Sequence, residues 1–135
     1  MKDKVSFEVA EQEFFRFCES MDLDADEGKM SEEKKEEYQK NKSVVVKAIQ
    51  KGSLFISENG EPTFTPQRTK DIGPIIFYEP TGSSLMAMDK KKGGEDIAKL
   101  YSAMADMTKT HAKTFANMKM ADLKVCMTLF TFFLS

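Results

Sequence analysis

The stretch Ile72 to Asp89, IGPIIFYEPTGSSLMAMD, constrains the fold most, because its character changes twice within a few turns of chain. Ile72, Ile75, Ile76, Phe77 and Tyr78 are β-branched or aromatic, the side chains that pack best on a pleated surface, and they predict a mostly buried central strand. Pro80, Thr81 and Gly82 end that strand, and Ser83 or Ser84 is placed to cap a short helix carrying Leu85, Met86 and Met88. The chain before this stretch is rich in charge, and the chain after it repeats its apolar residues at helical spacing. The combination predicts a single α+β domain over residues 1–135. Strand, helices and an acidic loop fill 1–52, a small antiparallel sheet fills 53–80, and Met-rich helices fill 81–135.

The other strand signal is SLFISENGEPTF, a hairpin whose Asn59-Gly60 pair suits the two positive-φ positions of a type I′ turn. With Glu58 facing Glu61, Ser57 faces Pro62 and Phe55 lies opposite Phe64 as an aromatic cross-strand pair. The hairpin and the central strand then share one sheet, with the N-terminal strand as a further candidate member.

At the N-terminus, Val5, Phe7 and Val9 alternate with Lys4, Ser6 and Glu8, the period of a half-buried strand. From Ala10 the period becomes helical, with Ala10, Phe14, Phe17, Cys18 and Met21 on one face to about Ser20. The alternative is a helix that already begins at Ser6. A second helix follows, with Ser31 as its cap and Tyr38, Val45, Ala48 and Ile49 on its apolar face. Lys47 and Lys51 suit its C-terminus, and Gly52 stands just past the end.

Between these helices, MDLDADEGKMSEE places Asp22, Asp24, Asp26 and Glu33 at positions 1, 3, 5 and 12 of an EF-hand calcium loop. Glu27 stands where the glycine of the sharp turn belongs, Gly28 comes one residue late, and Lys29 replaces an apolar residue. An acidic helix-to-helix turn with no metal is therefore expected, and a calcium-responsive binding module is the alternative.

In the C-terminal half, Ile97, Leu100, Tyr101, Met104 and Met107 recur at helical spacing, and Phe115 and Met118 continue the apolar face. The last segment puts Leu123, Cys126, Met127, Phe130, Phe133 and Leu134 on one face, widened by Val125, Leu129 and Phe132. Lys124, Thr128 and Thr131 form its polar strip. So broad an apolar arc sits in the core or covers itself with a partner.

Composition narrows the function. Twenty basic and twenty-two acidic residues leave a formal charge of −2, which speaks against a nucleic-acid partner. Lys90, Lys91 and Lys92 make the one compact basic run, read beside Gly93 and Gly94 as a mobile loop, as is the acidic stretch from Asp22 to Met30. Cys18 and Cys126 read as reduced, buried small hydrophobes. Charges interrupt any signal-peptide core at the N-terminus, and the apolar C-terminus is short of the roughly 20 residues a spanning helix needs. A cytoplasmic protein outside the membrane is expected. The single histidine, His111, reads as an exposed helix residue. No nucleophile elbow or phosphate loop occurs, so neither an enzyme nor a cofactor is expected.

Three segments carry a resemblance: FEVAEQEFFRF at the start, KDIGPIIFYEPTGSSLMAMD in the middle, and MADLKVCMTLFTFFL at the end with its Asp122 and Phe133-Leu134. Together they resemble the tail assembly chaperones of long-tailed bacteriophages over about half of the chain. The acidic insert from Asp22 to Glu37 has no counterpart in that pattern. The resemblance implies a non-catalytic protein in the cytoplasm of a bacterial host that binds the tape-measure protein or tail tube subunits during assembly. Ten methionines supply flexible, polarizable surface suited to such binding. The expected partner site is Met104, Met107, Met118, Met127, Phe130 and Phe133, with self-association into a homo-oligomer as another way to cover the same face.

Overall fold

The computed structural model describes residues 4–89 and 96–134, so the Lys90 to Gly94 loop and the side chains of Leu85 and Met88 lie outside the described residues. The architecture is α+β: a small antiparallel sheet packed with helices, and a helical C-terminal half.

The first helix, α1 (Phe7–Ser20), replaces the expected N-terminal strand. Ser6 decides this, because its hydroxyl accepts the Val9 N–H at 3.2 Å and so caps the helix where the alternation would have run. Phe7 and Val9 are left on the exposed side, while Ala10, Phe14, Phe17 and Cys18 turn inward. Ahead of the helix, the Lys4 and Val5 N–H groups donate to the Gln50 carbonyl at 2.8 and 3.2 Å.

The stretch from Asp22 to Met30, read as a mobile loop, makes contacts with the rest of the protein. Leu23 N–H donates to the Cys18 carbonyl at 2.8 Å, Leu23, Ala25 and Met30 pack against the core, and a short 3₁₀ turn covers Glu27–Lys29. Next, α2 (Glu32–Gln50) starts with Ser31 accepting the Lys34 N–H and buries Tyr38, Val45, Val46, Ala48 and Ile49. Gly52, at φ +80°, follows its end.

The sheet has the order β1 (Leu54–Ile56), β2 (Pro62–Phe64), β3 (Ile75–Ile76), so the hairpin's second strand is central and the Ile72–Tyr78 run lies at an edge. The hairpin register also differs by one residue from the expectation: Leu54 pairs with Phe64, Phe55 with Thr63 and Ile56 with Pro62. This register puts Leu54, Ile56, Pro62 and Phe64 together on the core face, whereas a Phe55–Phe64 pair would have sent Leu54 and Ile56 to water. The turn becomes a three-residue loop in which Gly60 takes φ +82° and Asn59 keeps negative φ. Ser57 closes it, with its carbonyl accepting Gly60 N–H at 2.9 Å and its hydroxyl accepting Glu61 N–H at 3.1 Å. From α1, Arg16 donates to the Ser57 and Ile56 carbonyls at 2.6 and 2.7 Å, so the hairpin is held against the helix.

In β3, Ile75 is buried and Ile76 is 38% exposed, while Phe77 just beyond the strand is fully buried. The start of α3 (Gly82–Asp89) is capped by Thr81, whose hydroxyl accepts the Ser83 N–H. Ser83 and Ser84 instead donate to Asp106 at 2.8 and 3.0 Å and pin α3 to the end of α4 (Asp96–Thr108). The chain closes with α5 (Ala112–Ala116) and α6 (Met120–Leu134). An aromatic group of Phe14, Phe17, Tyr38 and Phe132 joins α1, α2 and α6, with Phe14 and Phe132 centroids 5.4 Å apart.

Candidate functional site

The expected partner site is largely interior. Met104, Met107, Met118 and Phe130 are buried, and Met127 and Phe133 are half-buried, with the Phe133 ring 5.5 Å from Phe17. The broad apolar arc of α6 is covered mostly by the protein itself, because α1 and α2 bring Phe14, Phe17 and Tyr38 onto it. Cys126 meets Met118 at 3.6 Å between sulfurs, and burial raises the Cys126 pKa, so the thiol stays protonated.

The opposite side of α6 is open. Met120, Lys124, Met127 and Thr131 follow one another at helical spacing on its outward face, and with Ala121 and Thr128 they line a shallow groove of about 400 Å³. Met120 is 75% exposed, the most exposed of the large apolar side chains described.

A second groove, of about 430 Å³, runs along the other flank of α6 between that helix, α2 and the loop after β2. Lys40 and Lys47 of α2 and Lys51 just past its end line it together with Arg68 and Lys124. Among the described residues the ion pairs are Arg16–Glu13 and Lys42–Glu11, so none of these five cations has a carboxylate at ion-pair distance. The two grooves share Ala121 and Lys124 and make one surface, apolar on one flank and cationic on the other.

Asp122 is the one carboxylate lining the cationic groove, and its charge is already engaged. It accepts the N–H groups of Gln67, Arg68 and Thr69 at 2.8, 2.9 and 2.9 Å and the Thr69 hydroxyl at 2.9 Å. The Thr69 hydroxyl oxygen in turn accepts the Lys119 N–H at 2.9 Å. Burial alone would raise the Asp122 pKa, but the hydrogen bonds from Gln67, Arg68 and Thr69 outweigh it and hold the pKa below its ordinary value. Asp122 therefore fixes the loop that brings Arg68 to the groove.

The EF-hand spacing does not become a cation site. Asp24 accepts the Asp26 N–H and Asp26 accepts the Gly28 N–H, each at 3.0 Å, so these carboxylates cap their own turns. Glu33 lies in the first turn of α2. Among the described residues, no group of three or more His, Cys, Asp or Glu side chains is placed to hold a metal ion. His111 is exposed at the start of α5. No described helix is long and apolar enough to cross a membrane.

The groove had sequence signals that pattern reading of the apolar residues passes over. Lys40, Lys47 and Lys51 lie at i, i+7 and i+11 along one stripe of α2 and its C-cap, and Met120, Lys124 and Met127 lie at i, i+4 and i+7 on α6. No protein-family model, curated protein or solved structure matches the chain.

Proposed function

We propose that the chain is a non-catalytic binding protein that receives an acidic, amphipathic segment of a protein partner along the outer side of α6. The observation that carries this reading is the continuity of the methionine face with the unpaired cations through Ala121 and Lys124. Met120 and Met127 offer adaptable apolar contact, and Lys40, Lys47, Lys51 and Arg68 offer charge to an acidic rim. A phosphodiester backbone would use the cations but not the methionines, which favours a protein partner. Burial pushes the Cys18 thiol up to about 12, and hydrogen bonds hold Asp122 ionised, so neither group is poised as a nucleophile or general acid.

The resemblance to phage tail assembly chaperones names the partner: the tape-measure protein or tail tube subunits, met in the cytoplasm of a bacterial host. The binding surface proposed here is the outward side of α6, in place of the buried methionines. Co-expression with the tape-measure protein or tube subunit of the same phage genome tests the reading. One of the two becomes soluble and co-purifies with the wild-type chain, and does so less with Met127→Asp. If both remain equally insoluble with and without the chain, the chaperone reading fails. If sedimentation then finds the chain paired with itself through α6, that face is a homo-oligomer interface.

A further inference from the structure

The outward face of α2 carries its charges in a fixed order. Glu33, Glu36, Lys40 and Lys47, with Lys51 at the C-cap, follow one another at intervals of three, four, seven and four residues, so they fall on one stripe of the helix. All five are exposed, and the stripe lies on the side away from the buried Tyr38 and Ile49. Lys34 and Lys35, one and two residues after Glu33, fall on other sides of the helix, and Lys42 is taken by Glu11 at 2.7 Å. Among the described residues the ion pairs are Arg16–Glu13 and Lys42–Glu11, so all five stripe charges are without one.

The helix macrodipole accounts for part of this order, because it favours acids in the first turn and bases in the last. It does not reach Glu36 and Lys40, which lie beyond the first turn, and it does not explain why Lys40, Lys47 and Lys51 share one groove with Arg68 and Lys124. Cations gathered without a counter-charge repel one another, while the chain as a whole carries an excess of acid at −2. The order is also self-complementary. Glu33 stands nine residues before Lys42 and Lys51 nine after it, while Glu36 stands six before and Lys47 five after. Along the helix axis these are distances of about 14 Å and about 8 Å to either side. Two α2 helices laid antiparallel about that level bring the acids of each to the bases of the other, with the half-buried Val44 level with the apolar stem of a lysine at position 40. A parallel alignment would set acid against acid, which the charges reject.

We propose that this stripe pairs two copies of the chain about a two-fold axis at the level of Lys42, with Glu33 against the partner's Lys51 and Glu36 against the partner's Lys47, each contact made twice. The occupant of the stripe is a second copy because the chain itself supplies the complementary charge at the matching spacing. This surface is distinct from the methionine face of α6. It draws on cations that an acidic segment of another protein would also use, so the two compete, but the pairing does not rest on that reading and is measured on the chain alone.

Sedimentation equilibrium of the full chain tests it. The wild type is expected to form a reversible dimer at about 50 mM NaCl that weakens at least tenfold by about 500 mM, because salt screens exposed charges. Glu33→Lys combined with Glu36→Lys, and Lys47→Glu combined with Lys51→Glu, are each expected to be folded monomers, since all four side chains are exposed. Mixed in equal amounts, the two variants are expected to associate again with an affinity within about threefold of wild type, because opposite charges then meet at both ends of the pair. Three results overturn the proposal: a wild type that stays monomeric at low salt even at about 1 mM chain, a dimer that survives both reversals, or folded reversed variants that stay apart when mixed.

Discussion

The Asp122 carboxylate on α6 takes both the N–H and the hydroxyl of Thr69, each at 2.9 Å, across more than fifty residues of sequence. Asp122→Asn keeps the shape but turns an amide N–H₂ toward donors, and a loss of about 1.5–3 kcal/mol at pH 7 is expected. The pH dependence has a definite sign. The folded pKa lies below the unfolded value, so the ionised carboxylate stabilises the fold above the ordinary Asp pKa of about 3.9. That stability disappears as pH falls through the folded pKa. Urea unfolding from pH 7 down to pH 2 should find a shallower acid limb for Asp122→Asn than for wild type. Parallel limbs would remove Asp122 from the acid response.

Neighbouring residues at the end of the edge strand and just past it should respond unequally. Phe77 is fully buried, and Phe77→Ala is expected to cost about 3–5 kcal/mol. Ile76, 38% exposed on the edge, should tolerate Ile76→Asp at about 1 kcal/mol. Thermal melting of both variants separates them, and equal losses would mean that the outer face of the sheet is covered.

Gly60 and Gly52 both hold positive φ, yet they differ in what surrounds them. A Cβ on Gly60 would run into the side chain of Ser20, which is fixed on α1 and donates to the Asn59 carbonyl at 3.1 Å. A Cβ on Gly52 would meet the Lys4 side chain at 2.7 Å, whose long stem can swing away. Each alanine carries the left-handed penalty of about 1–2 kcal/mol. Gly60→Ala should therefore melt at a lower temperature than Gly52→Ala, and the reverse order would contradict the packing of α1 on the hairpin turn.

The helices were the most legible part of the chain. Ser31, the apolar stripe from Tyr38 to Ile49 and Gly52 delimit α2 as its capping chemistry requires. Other features depend on contacts that the residue pattern alone does not show. The alternation of Val5, Phe7 and Val9 fits strand and helix alike until the Ser6 cap chooses. Asn59-Gly60 announces a turn, but the register follows from which of Leu54 and Phe55 the core takes. Met104, Met107 and Met118 look available for binding only while the elements covering them are unknown, and Asp122 looks like a surface acid until the Thr69 loop folds onto it.

The central claim is that the outward face of α6 holds the partner, and charge reversal at Lys124 tests it most directly. Lys124 is exposed and lines both grooves, so Lys124→Glu leaves the core intact while placing a like charge against an acidic segment. A calorimetric titration against the proposed partner, once co-expression has identified it, should find binding at least tenfold weaker for Lys124→Glu, with an unchanged melting temperature. Undiminished affinity in a fully folded Lys124→Glu protein would contradict the account.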